Sequence, residues 1–354
     1  MKFSRRLLFP LSPLYALGVG IRNWLYDGGI FKSTLFKIPI ISVGNLEVGG
    51  AGKSPMTEYL IRLLKDQYKI ATLSRGYGRK TKGFLTASAT TTATQTGDEP
   101  AQFKHKFPGI TVAVCEDRVA GITQLLPGHD LVILDDAYQH RAVKPGFSIL
   151  LFDYTRLYQP QLMLPAGNLR EPLVGRWRAD VIIVSKCPAD LSLDKQAEVA
   201  ERVKPFPFQQ LFFTSIAYLP LQDMKGNIAD AVIDKDTTVF LLTGIANSAP
   251  LIAHLHKHTA NIVHHKYPDH HRFSLKNITK LAEEFSACTA QKKLLITTEK
   301  DAQRLGEQEL APLIKQLPFL VWPIGVKFLN KGQQQFDELV INYVRKHTAH
   351  SRIH

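Results

Sequence analysis

The segment Gly44-Asn45-Leu46-Glu47-Val48-Gly49-Gly50-Ala51-Gly52-Lys53-Ser54-Pro55 follows an apolar run, Pro39-Ile40-Ile41-Ser42-Val43, and precedes a helix-like stretch from Pro55 to Lys65. Glycines let a backbone curl until its N–H groups converge on an anion, and a helix N-terminus adds its dipole. In such a loop Val48, Gly49, Gly50, Ala51 and Gly52 cradle phosphates with their backbone, Lys53 reaches the outer phosphates, and the Ser54 hydroxyl ligates magnesium. The pattern G-x-x-x-x-G-K-[ST] would place its first glycine at position 47, which is Glu47, so the match is to G-G-x-G-K-[ST] variants. The plain alternative is a Gly-rich turn with a surface lysine; the strand before it and the helix after it argue against that.

A second constellation, Leu131-Val132-Ile133-Leu134-Asp135-Asp136, is an apolar strand ending in two acids. At the carboxyl edge of a parallel sheet such carboxylates hold the water shell of magnesium, which makes Asp135 and Asp136 metal candidates beside Ser54. Strand-ending acids are common caps; the loop upstream gives these two a purpose. Together the motifs imply a bound nucleotide with Mg2+ and phosphoryl transfer.

Transfer to a hydroxyl needs a proton acceptor. Gly97-Asp98-Glu99-Pro100 places two acids at a turn after the Thr-rich stretch from Thr86 to Thr96, which reads as a loop or an irregular edge strand. Tyr267-Pro268-Asp269-His270-His271-Arg272-Phe273 brings an acid and two imidazoles. Taken bare, each is also ordinary turn chemistry or solvated surface. Ser74-Arg75-Gly76-Tyr77-Gly78-Arg79, Arg118 and Arg170 are candidates for clamping anionic groups, with Tyr77 suited to stacking on a sugar. Lys186 and Asp190 follow a late strand, where P-loop proteins often bind the base.

These residues need a sheet to converge on. Short apolar runs at Pro39 to Val43, Ile70 to Leu73, Ile110 to Val114, Leu131 to Leu134, Ile149 to Phe152 and Val181 to Val184 alternate with helical or loop stretches, and several are apolar at every position, as strands buried on both faces should be. A second series, Val239 to Leu242, Lys293 to Thr297 and Phe319 to Ile324, follows a polar stretch from Leu219 to Thr237. The expected fold is α/β: a P-loop NTPase-like parallel sheet domain over 37–218 with a second, smaller α/β domain over 219–330.

The 354 residues are 45% hydrophobic and 21% charged, an ordinary globular balance with room for two domains. A net charge of +13 points to an anionic partner: nucleic acid, phospholipid or a phosphorylated substrate. No zinc, helix-turn-helix or RNP-like signature supports nucleic acid. Cys115, Cys187 and Cys288 are far apart, as in a reducing cytosol without structural disulfides.

Residues 1–36 are basic and apolar, with Lys2, Arg5, Arg6, Arg22 and Lys32 against Asp27. The uncharged run from Leu7 to Ile21 is shorter than the ~20 residues a spanning helix needs. A signal peptide would require a small-x-small cleavage site, which is missing. The segment reads as interfacial, with Leu7, Leu11, Leu14 and Leu17 on one helical face and Trp24 and Tyr26 at headgroup depth.

Taken together, GNLEVGGAGKSP, SRGYGR, GDEPAQ, LDDAYQHR, LPAGNLREP, YPDHHRF and TTEKDAQRL resemble the tetraacyldisaccharide 4'-kinase family, which phosphorylates the lipid A precursor of Gram-negative bacteria. The resemblance implies ATP with Mg2+, an acylated disaccharide phosphate acceptor, an N-terminal segment on the cytosolic face of the inner membrane, completion of the larger domain by a C-terminal helix at 332–348, and a smaller domain that closes over ATP. It implies catalytic roles for Lys53, Asp136 and Asp98, the last as base, with His270 or His271 as its partner. Tyr77, Arg118, Gln139 and Arg170 fall in motifs that line the substrate cleft. Ser54 stands where the family often has Thr and Ala137 where it often has Gly; the hydroxyl survives. The rivals are a membrane-associated switch ATPase, disfavoured because Val48 replaces the signature lysine before the paired glycines, and a P-loop kinase of another lipid or sugar.

Overall fold

The computed structural model describes residues 7–306 and 309–351, so Lys2, Arg5 and Arg6 lie outside the described residues. From the N-terminus, the apolar runs form β1 (Ile40–Asn45), β2 (Ile70–Ser74), β3 (Leu85–Thr86), β4 (Thr111–Val114), β5 (Leu131–Asp135), β6 (Phe147–Asp153), β7 (Val181–Ser185) and β8 (Gln210–Tyr218). Five further strands, β9 (Gln222–Asp223), β10 (Thr238–Thr243), β11 (Ile262–Lys266), β12 (Lys293–Thr298) and β13 (Phe319–Trp322), build a separate sheet in the order β11-β10-β12-β13-β9. The chain then returns to the first sheet as β14 (Ile324–Phe328), giving nine strands ordered β14-β8-β7-β6-β1-β5-β2-β4-β3. That sheet is parallel except for its edge strands β14 and β3. Every residue of β1, β2, β5, β6 and β7 is buried, which is why these strands are apolar on both faces.

Five helices position or brace the site: α1 (Ser12–Asp27), α2 (Lys53–Leu64), α3 (Asp98–Lys106), α4 (Glu299–Leu305) and α5 (Gly332–Ser351). On α5, Phe336, Val340, Tyr343 and Val344 are buried in one core with Ile41, Ile133 and Ile149. The Tyr343 hydroxyl accepts from the Ile40 N–H and lies 3.1 Å from the Ile40 carbonyl, to which it donates. Phe336→Ala is expected to cost about 3–5 kcal/mol in urea unfolding. A loss near zero would detach α5 from that core.

The structure departs from the sequence reading in four places. Phe319 to Ile324 is not one strand: Pro323, which has no N–H for a ladder, breaks it, and its halves join different sheets. Beside the break, the Leu219 N–H donates to the Pro323 carbonyl at 3.0 Å, and the Trp322 indole donates to the Leu219 carbonyl at 3.0 Å. Gly97-Asp98-Glu99-Pro100 is the first turn of α3 rather than a free turn, with Gly97 at φ +96 as its cap and two acids at the positive end of the helix dipole. The Thr-rich stretch ends in a short helix, Ala93–Thr96, capped reciprocally by Thr92 and Gln95. Finally, β8, β9, β11 and β14 are strands that the sequence reading does not mark.

Helix α1 turns its polar side to the protein: the Ser12 hydroxyl donates to the Met163 carbonyl, Tyr15 to that of Arg170 and Arg22 to that of Gln139. Leu14, Leu17, Ile21 and Trp24 are exposed on it. Tyr26, expected beside Trp24, instead packs against Phe31 and under the Arg141 guanidinium. No helix among the described residues is long and apolar enough to cross a membrane.

Candidate active site

Strand β1 lies between β6 and β5, with Val43 opposite Asp135, so the loop leaving β1 and the acids ending β5 emerge at one sheet edge. Three loop carbonyls are held from outside the loop. Val48 O accepts from Arg156 at 2.6 Å, Gly50 O from the Lys186 ammonium, and Ala51 O from the Ser185 hydroxyl at 2.8 Å. Gly49 sits at φ +104, a backbone that L side chains rarely adopt, and a Cβ there would stand 2.8 Å from the Arg156 guanidinium and displace it. Gly52, at φ +86, starts α2, whose first turn carries Lys53 and Ser54. Oxygens committed outward and a helix N-terminus make a receptor for an anion. Lys186 also pairs with Asp153 at 2.7 Å and thus supports the loop; it is not free to read a base. Asp190 is exposed.

At the strand ends, Lys53 donates to Asn45 Oδ1 at 3.0 Å and lies 3.6 Å from Asp136. Arg170 donates to Asn45 Oδ1 at 2.5 Å and to Asp136 Oδ1 at 2.8 Å, and the Gln139 amide donates to the Asn45 carbonyl at 2.8 Å. Burial alone would raise Asp136, but Lys53 and Arg170 hold it below the ordinary carboxylate value. Asp135 behaves oppositely: burial, with Glu99 and Asp136 nearby, pushes it up to about 7 against the pull of Lys53. Its Oδ1 accepts from the Thr57 hydroxyl at 3.1 Å. Ser54 is buried in the first turn of α2. Arg118 is also buried; its Nη1 donates to the Cys115 and Glu116 carbonyls at 2.9 and 3.1 Å, while its Nε is buried without a hydrogen-bond partner.

The second cluster joins the two sheets. Asp98, on α3, accepts at Oδ2 from Arg304 Nη2 at 2.5 Å and Nε at 3.0 Å, and lies 3.0 Å from His270 Nδ1. His270 sits after β11 at φ +57, a left-handed backbone that turns neighbouring side chains apart. His271 accordingly goes elsewhere: it bonds Asn277 at 3.0 Å and stacks on Tyr267. Between the two histidines, the structure brings His270 to Asp98. Burial works to raise Asp98, but His270 and Arg304 bring it down to about 2. The Asp98 contact chiefly raises His270, against its burial. Tyr77, largely exposed, has its ring 5.5 Å from that of His270, and the two line a cleft of about 120 Å³ with Asp98, Arg272 and Arg304.

Helix α4 locks this cluster to the first. Lys300 pairs with Glu99 at 2.5 Å, and Lys106 of α3 pairs with both Glu58 of α2 and Glu299 of α4. Lys300 feels the charges of both Asp98 and Asp135. Asn45, Lys300 and Arg304 have no role in the sequence reading, and Glu99, a candidate acid there, instead pairs with Lys300.

A family model described as tetraacyldisaccharide-1-P 4'-kinase matches residues 4–345. The tetraacyldisaccharide 4'-kinase of Phocaeicola vulgatus is 44% identical over 352 residues, 97% of this chain and 96% of that one. The enzyme of the same name from Flavobacterium johnsoniae is 45% identical over 350 residues, 98% of this chain and 99% of that one. Among solved structures, LpxK from Aquifex aeolicus in complex with ATP is similar over 97% of this chain and 100% of that chain, with 28% identity and a TM-score of 0.74.

Proposed function

The chain belongs to the tetraacyldisaccharide-1-P 4'-kinase family and is a kinase of lipid A biosynthesis, and we propose that its cleft moves the γ-phosphate of ATP to the 4'-hydroxyl of tetraacyldisaccharide 1-phosphate, giving lipid IVA. The Asp98 to His270 contact at 3.0 Å, formed beside the Lys53 and Asp136 cluster, carries this reading.

The loop from Val48 to Ser54 holds the phosphates, and the Lys53 ammonium neutralises charge on the transferring group. Ser54, Asp135 and Asp136 suit magnesium, a hard cation that takes one or two carboxylates with water and phosphate around them. A carboxylate as buried as Asp135 fits such a site, because a cation beside it offsets its desolvation. Bound magnesium supplies charge neutralisation at the phosphates.

Asp98 and His270 take the acceptor proton as a pair. A carboxylate held down to about 2 keeps no proton near neutral pH, whereas the imidazole it raises can. Asp98 therefore orients the ring at Nδ1 and stabilises its charged form. His271 supports the loop through Asn277. Tyr77, Gln139 and Arg170 guide the acceptor, and Arg118 lends charge toward Asp136.

Residues 37–218, with β14 and the helix at 332–348 that follow the return crossing at Pro323, act as the kinase domain, and the body from Leu219 to Pro323 closes over ATP. Residues 1–36 rest on the cytosolic face of the inner membrane, the exposed side of α1 meeting acyl chains and the positive charge meeting anionic lipid. Nucleic acid is no partner.

The test is transfer of labelled γ-phosphate from ATP to tetraacyldisaccharide 1-phosphate in detergent micelles. Product with magnesium and none with EDTA is expected. Tight ATP binding without product would assign a different acceptor.

A further inference from the structure

Arg304 is among the most buried charged residues of the chain, and its guanidinium is committed on every edge. Nη1 donates to the Gly244 carbonyl and to Asp301, both at 2.8 Å. Asp301 is itself pinned by the Gly244 N–H at 3.0 Å and the Thr298 hydroxyl at 2.8 Å. The opposite edge, Nε and Nη2, closes on a single oxygen of Asp98, which comes from α3 of the other sheet. Asp301 alone would satisfy a structural arginine; the second edge is spent across the cleft.

We propose that Arg304 is a positioning residue for the transfer, fixing the Asp98 carboxylate so that the His270 ring keeps Nδ1 on it and leaves Nε2 for the acceptor hydroxyl. This rests on the kinase reading and deepens it. A guanidinium has only donors. With Asp98 ionised, His270 Nδ1 donates to it and has no lone pair left, so the 3.2 Å approach of Arg304 Nη2 to Nδ1 sets a positive charge against the ring rather than a bond. The charged groups facing His270 are Asp98 from α3, Arg304 from α4, and Asp269 beside it, with Arg272 on the same cleft. Arg304 thereby opposes the charged ring while it braces the carboxylate that favours it.

The test compares pH profiles of transfer by the full chain, with thermal unfolding and KM for ATP as controls. Arg304→Gln is expected to lower kcat by ~10²-fold with KM for ATP unchanged, and to move the acid limb to higher pH, because the ring holds its proton longer without the neighbouring charge. Arg304→Lys keeps the charge and loses the fork, so its limb returns to the wild-type position and kcat recovers in part. Wild-type kcat in Arg304→Gln, an equal loss at every pH with the limb unmoved, or a lysine variant whose limb follows the glutamine one would overturn the proposal. If Arg304→Gln does not fold, the lysine profile decides: reduced kcat with an unmoved limb supports the role, and wild-type kcat overturns it. Absence of product with the wild type instead overturns the kinase reading and the inference with it.

Discussion

Lys53→Ala is expected to cut phosphoryl transfer by ~10³-fold, the scale seen when one preorganised donor is removed from a developing charge. The ammonium lies 3.0 Å from Asn45 and 3.6 Å from Asp136, in a site dry enough for burial to pull its pKa below the ordinary lysine value although Asp136 works against that. Asp136 stays low because Lys53 and Arg170 outweigh its own burial. Removing the lysine therefore loses an attraction and also leaves two adjacent acids less compensated where phosphate must sit. Turnover and ATP affinity should both fall, and equilibrium titration beside the transfer assay separates them. Lys53→Met, similar in length and uncharged, should match the alanine variant. Wild-type turnover in either would remove Lys53 from the chemistry.

Asp98→Asn is expected to lower turnover by ~10²–10⁴-fold while ATP binds as before, because the side chain acts on the acceptor proton and not on the phosphates. Its pH signature has a definite sign. The Asp98 contact raises His270, so in the wild type the ring stays charged, and unable to accept a proton, up to a higher pH than a free imidazole. Activity then climbs as pH passes that raised value. With asparagine the raising contact is gone, and the acid limb moves to lower pH, opposite to the direction expected for Arg304→Gln. Shifts of the same sign in the two variants would show that carboxylate and guanidinium do not act on one shared ring.

The parallel core was legible because burial on both faces leaves no polar positions: Leu131 to Leu134 and Val181 to Val184 announce themselves as strands. Strand β8 was not legible, since Thr214 and Ser215 interrupt its apolar pattern where it nears the sheet edge beside β14. Pro323 carried the signal for a break, masked by apolar residues on either side. In the site, the loop and the Asp135-Asp136 pair declare themselves by local sequence, because each works from one strand end. Arg304 does not, since its partner Asp98 lies 206 positions away and only the fold joins them. The choice between His270 and His271 likewise hangs on one backbone angle, φ +57 at His270, which composition does not reveal.

The chain passes between the two sheets at Leu219 and again at Pro323, and the two passages are bonded to each other. A single connection would let the smaller body swivel freely. Two passages bonded to each other leave the smaller body fewer orientations than one would. The contacts that span the divide, Asp98 with His270 and Arg304, Glu99 with Lys300, and Lys106 with Glu299, all depend on the geometry set at that crossing. A substitution at the crossing is therefore expected to reach the proton-accepting pair without touching it.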